Sequence, residues 1–81
     1  MEKLYLINGN FYLHMQECDE GWDFTFYDAK TKKAIDGGRL DIEDGKYTVD
    51  EAFREITSDI FVVEKKEIDH PQDLIEELQN Y

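Results

Sequence analysis

Two histidines and one cysteine are the whole supply of side chains that act readily as nucleophiles, neutral bases or transition-metal ligands. His14 and Cys18 lie four residues apart, a spacing that aligns side chains on a helix but not along a strand running into a turn. The residues around them predict a strand and a turn, so a Cys–His catalytic pair is not expected and both read as structural or surface groups. His70 precedes Pro71 and reads as a partial helix cap. No serine–histidine–aspartate set, glycine-rich phosphate loop or paired-cysteine motif occurs. The expectation is a protein that is not an enzyme and holds no cofactor and no metal.

Carboxylates are the abundant chemistry, 20 Asp and Glu against 9 Lys and Arg for a net charge of −11. Hard cations need clustered carboxylates and a glycine that turns the chain, and Asp41-Ile42-Glu43-Asp44-Gly45 invites that reading. With Gly45 at the sixth position of such a loop, Asp44 and Glu51 fit the fifth and twelfth, but Leu40 and Ile42 fall where the first and third ligands belong. A plain turn over Glu43-Asp44-Gly45-Lys46 is expected instead.

The spacing of other acids carries more information. Glu51, Glu55 and Asp59 recur every four residues, as do Asp69, Asp73 and Glu77. On helices each set forms one stripe, with successive carboxylates about 6 Å apart along the axis. That approximates the phosphate spacing of a nucleic-acid strand, so one reading is a nucleic-acid mimic that inhibits a restriction or CRISPR-type nuclease. The plainer reading is a solvated face, which so acidic a chain produces without any partner. Like charges four apart cost a helix about 0.2–0.5 kcal/mol per pair. The charge also disfavours direct binding to nucleic acid or to an anionic membrane, so the expected partner is a protein with a basic surface. Tyr12 and Tyr27, with Tyr5 as a further candidate, fall on the polar side of alternating strands, where they could make an aromatic contact surface near Arg39 unless a helix covers that face.

These groups must be positioned by a small set of elements. Residues 3–7 and 10–17 flank Asn8-Gly9, whose residues both tolerate positive φ, and so read as a hairpin. Phe11, Leu13 and Met15 alternate with Tyr12, His14 and Gln16, and the alternation returns at Trp22, Phe24 and Phe26 in a strand over 22–28. A further strand covers 34–42, with Gly37-Gly38 suggesting a bulge or bend. Thr48 and Glu51 have capping-box spacing before a helix over 49–60, whose apolar stripe is Val49, Ala52, Phe53, Ile56 and Ile60. Residues 61–63 form a short strand or extended connection, and a last helix covers 70–79. The fold class is α+β: an antiparallel β-meander of three to four strands with two helices packed on one face, in a single domain over 1–81. An exposed edge at 61–63 leaves room for a homodimer.

An apolar fraction of 41 % and an aromatic fraction of 14 % exceed what a disordered acidic tail carries. The lone Cys18 cannot form an internal disulfide and is expected to be a reduced thiol. The run Leu4-Tyr5-Leu6-Ile7 is too short for a signal peptide, and nothing approaches the ~18 apolar residues of a membrane span. The expected location is the cytoplasm.

The segments Gln16-Glu17-Cys18, Glu20-Gly21-Trp22-Asp23-Phe24-Thr25 and Ile35-Asp36-Gly37-Gly38-Arg39-Leu40-Asp41, followed by the Thr48-capped helix, resemble a known family. They are similar to the large polyvalent protein-associated domains encoded on conjugative and other mobile elements of Firmicutes-type bacteria. The resemblance spans about residues 12–57 and centres on Asp-Gly-Gly-x-Leu-Asp. It implies a mobile-element context and supplies no catalytic residues. Such domains often sit within very large chains.

Overall fold

A computed structural model describes residues 1–41 and 47–80. Asn8 and Gly9 adopt φ of 54° and 67°, the doubly positive turn whose twist matches that of the strands it joins. It connects β1 (Glu2–Ile7) to β2 (Phe11–Cys18). β3 (Gly21–Asp28) and β4 (Ala34–Asp41) extend the antiparallel meander. Helix α1 (Val49–Ile56) follows, then β5 (Lys65–Glu67) pairs antiparallel with β1, and α2 (Gln72–Gln79) comes last. The sheet order is β4-β3-β2-β1-β5. The α+β class and the meander stand as expected, with a fifth strand added.

That strand begins four residues later than the segment 61–63 singled out in the sequence. The backbone of 61–64 is instead bonded to the Asn8 side chain, which donates to the Phe61 carbonyl and accepts from the N–H groups of Val63 and Glu64. Only at Ile7↔Lys65 does the ladder start. Helix α1 is likewise shorter than 49–60. The Thr57 hydroxyl donates to the Phe53 carbonyl at 2.7 Å and the Ile60 N–H bonds the Thr57 carbonyl, so side chain and turn take over where the helix stops. Helix α2 starts at Gln72 rather than 70, because His70 has φ of 49° and the residue before a proline avoids the right-handed helical region.

The helices lie on opposite faces of the sheet, not on one. Tyr5, Ile7, Leu13, Met15, Trp22 and Phe26 share a face and pack with Ala52 and Phe53 of α1. Leu4 and Tyr27 point the other way and pack with Ile75 and Leu78 of α2. In β1 the pair Leu4 and Tyr5 are both buried, which requires cover on both sides because successive side chains alternate. The apolar character of Leu4, Leu6 and Tyr27 on the second face is the local cause of this arrangement. Among the described residues no helix is long and apolar enough to cross a membrane.

Candidate interaction surfaces

The two acid stripes do not survive as continuous lines. Of the first set, Glu51 and Glu55 lie on α1, while Asp59 lies in the turn beyond it. Glu51 is also occupied. Its carboxylate accepts the Thr48 N–H at 3.0 Å, and its own N–H donates to the Thr48 hydroxyl at 3.2 Å, closing the capping box. The Thr48 N–H is the main reason its pKa falls below the ordinary value. Of the second set, Asp69 precedes α2, and Glu77 holds Lys32 at 2.7 Å. Asp73 and Glu77 face solvent on the far side of the sheet from Glu51 and Glu55.

The tyrosine face is covered. Tyr27 is 7 % exposed beneath α2, and Tyr12 is half-buried against the same cluster. A helix therefore occupies the surface that was a candidate contact patch. His14 is buried there too, its Nε2 2.7 Å from a Glu2 carboxylate oxygen whose partner oxygen accepts from the Gln72 amide at 2.9 Å. These bonds, with Gln72 the larger influence, hold the Glu2 pKa below its ordinary value. The group ties the start of α2 to β1 and β2. Cys18 is half-buried at the end of β2, four strand positions or roughly 13 Å from His14. The N-cap position of α2 falls on Pro71, which makes no side-chain cap bond, and His70 precedes it with φ of 49°.

Among the described residues no group of three or more His, Cys, Asp and Glu could hold a metal ion. The loop weighed for calcium falls, from residue 42 to 46, outside the described residues, as does the turn expected at 43–46.

Two surface features were not anticipated. The first is a groove of about 310 Å³ between the β3–β4 end of the sheet and the end of α1, lined by Phe11, Phe24, Phe26, Ile35, Ile56 and Ile60 with Asp36 and Asp59. Its floor is a run of rings: Phe24 and Phe26 meet edge to face at 6.0 Å, and Phe26 meets Phe11 at 6.5 Å. A register shift between Phe26 and Tyr27 makes Ile35 the inserted residue, so that Ile35 and Asp36 both reach the groove. The glycines nearby serve close approach rather than unusual dihedrals, since neither has positive φ. A Cβ on Gly38 would stand 3.2 Å from the Phe24 ring, and one on Gly37 2.9 Å from the Phe24 carbonyl oxygen. Arg39 adds no free positive charge here. It donates to Asp23 at 2.7 Å and pairs with Glu20, and Asp23 chiefly raises its pKa.

The second feature is the segment held by Asn8. Phe61 and Val63 are 86 % and 76 % exposed, while the alternate residues Ile60 and Val62 pack on the α1 core. No alternation shows in the sequence there, because the two outward positions carry apolar side chains like the two inward ones. Beside this segment Lys65 Nζ sits 4.3 Å from the Phe53 ring centre and 5.2 Å from that of Tyr5. Burial, with Glu67 and Asp50 nearby, raises the Tyr5 pKa.

A family model described as Large polyvalent protein-associated domain 16 matches residues 1–81. The chain belongs to that family, and the match extends past residues 12–57 to include the β1 arm, β5 and α2. No curated protein and no solved structure matches the chain.

Proposed function

We propose that this member of the Large polyvalent protein-associated domain 16 family is a non-enzymatic, acidic protein-interaction module of a mobile genetic element, acting in the cytoplasm on a protein with a basic surface. The observation that carries the reading is the groove at the β4 end of the sheet. It leaves aromatic and aliphatic side chains uncovered and rims them with two carboxylates, Asp36 and Asp59. An apolar centre with a charged rim is the anatomy of a protein contact. The net charge of −11 selects for basic partners and against nucleic acid and anionic lipid.

The nuclease-inhibiting mimic is the weaker reading. A phosphate-like line needs several carboxylates in one row, whereas Glu51 is committed to its cap, Glu77 to Lys32, and the two sets face opposite sides.

Capture from a bacterial lysate at low and raised salt tests the proposal. It predicts a basic protein retained at low salt, released as salt screens the contact, and lost when Asp36 and Asp59 become Asn. A nuclease that duplex DNA competes off, with binding that depends on Glu55 and Asp73 instead, would favour the mimic. No partner at any salt would refute both.

A further inference from the structure

The two edges of the sheet are built differently. β5 is three residues long and carries Lys65 and Lys66, a short charged edge of the kind that resists pairing. β4 is eight residues long, exposed along most of its length, and among the described residues has a strand neighbour on one side only. It contains neither lysine nor proline, and its one arginine is held by Asp23 and Glu20. Its one bulge, at Ile35, lies near the start of the strand, and the regular run 36–41 that follows is a template for another strand. This edge also borders the apolar groove, which Ile35 and Asp36 of β4 itself help to line.

We infer, building on the interaction reading above, that β4 accepts an extended segment of another protein as a sixth strand, one that carries an apolar residue with Lys or Arg two positions from it. Main-chain hydrogen bonds along β4 would supply sequence-independent affinity, and the groove would supply selection. Side chains two residues apart on an added strand share a face and stand about 6.6 Å apart. One apolar side chain enters between Phe24, Ile35, Ile56 and Ile60, while a basic side chain two positions away reaches Asp36 or Asp59. The Asp59 carboxylate makes no hydrogen bond or ion pair among the described residues, and Asp36 binds only the adjacent Gly37 N–H, at 2.8 Å. Charge complementarity decides the occupant. A second copy laid along the same edge would bring its own Asp36 and Asp41 to the seam, with a further net charge of −11, whereas a basic segment neutralises them.

The test is selection of a displayed library of random linear peptides of about ten residues, long enough for one strand, on the full chain. Enriched peptides are expected to carry an apolar residue with Lys or Arg two positions from it and to slow amide exchange across residues 34–41. Binding should weaken at least about tenfold on Ile35→Lys. Because Ile35 is 56 % exposed, that variant should stay folded, as its thermal unfolding will show. The double change of Asp36 and Asp59 to Lys should turn the selection away from basic peptides. Enrichment without basic residues, binding indifferent to Ile35→Lys, protection elsewhere than 34–41, or no enrichment would each overturn the inference. If lysate capture persists undiminished in Ile35→Lys, the edge is refuted while the interaction reading stands.

Discussion

The Asn8 side-chain oxygen accepts the Val63 N–H at 2.7 Å, across 55 residues of sequence. The same oxygen accepts from Glu64 at 2.9 Å, and the Asn8 amide donates to the Phe61 carbonyl at 2.9 Å. A turn residue with φ of 54° thus holds the backbone of the segment that displays Phe61 and Val63.

Asn8→Gly separates these two roles, because glycine keeps the positive φ and removes the side chain. The variant should retain the hairpin, lose about 1–2 kcal/mol in denaturant unfolding, and exchange the Val63 and Glu64 amide protons faster. Unchanged exchange at those two positions would show that the side chain does not hold the segment.

Acid should weaken the fold through three carboxylates. Glu2, Asp28 and Glu51 all have folded pKa values below their ordinary 4.5, 3.8 and 4.5. Glu2 is lowered by Gln72 and then His14, Asp28 by the Thr31 and Lys30 N–H groups, and Glu51 by that of Thr48. A depressed carboxylate binds its proton more readily when unfolded, so its stabilisation is full above the unfolded pKa and is lost as pH falls through the folded one. The urea midpoint should therefore fall between about pH 6 and about pH 3, and Glu2→Gln should reduce the drop. A midpoint flat over that interval contradicts these assignments.

The second core is separable from the first. Ile75→Ala removes a side chain that packs with Leu4, Tyr27 and Leu78, and should cost about 2–4 kcal/mol. Amide exchange in α2 should accelerate while the Trp22 fluorescence of the folded state stays unchanged, since Trp22 lies in the α1 core. A shift of that emission in the folded variant would mean that the two faces are coupled through the sheet.

Lys65 contributes by its position over Phe53 and Tyr5. Lys65→Met keeps an apolar stem of similar length but loses the charge over the rings. It should destabilise by about 0.5–1 kcal/mol and raise the Tyr5 pKa further, because a positive charge beside the phenol favours its ionised form. A Tyr5 titration unmoved by the change would place the ammonium group elsewhere in solution.

Elements with a strong local signature were legible in the sequence. Asn8-Gly9, the alternation through Phe11, Leu13 and Met15, and the Thr48–Glu51 box all act through neighbours in the chain. What sequence could not supply came from distant partners. Asn8 draws residues 61–64 out of any ladder and Leu4 with Tyr27 gives α2 its own face. The groove was hidden for the same reason, because it joins β2, β3, β4 and the end of α1. The end of α1 at Thr57, bonded back to Phe53, is local instead, and was masked by apolar spacing that runs on to Ile60. The acids at Asp59 and Asp69 fitted helical spacing only while the helices were taken to be longer than they are.

The most direct test of the account is the salt dependence of partner capture by wild type and by the variant in which Asp36 and Asp59 are both Asn. Wild type should retain a basic protein at low salt, with retention falling steeply as salt rises, and the variant should lose it. Capture that is indifferent both to salt and to those two carboxylates would contradict the account.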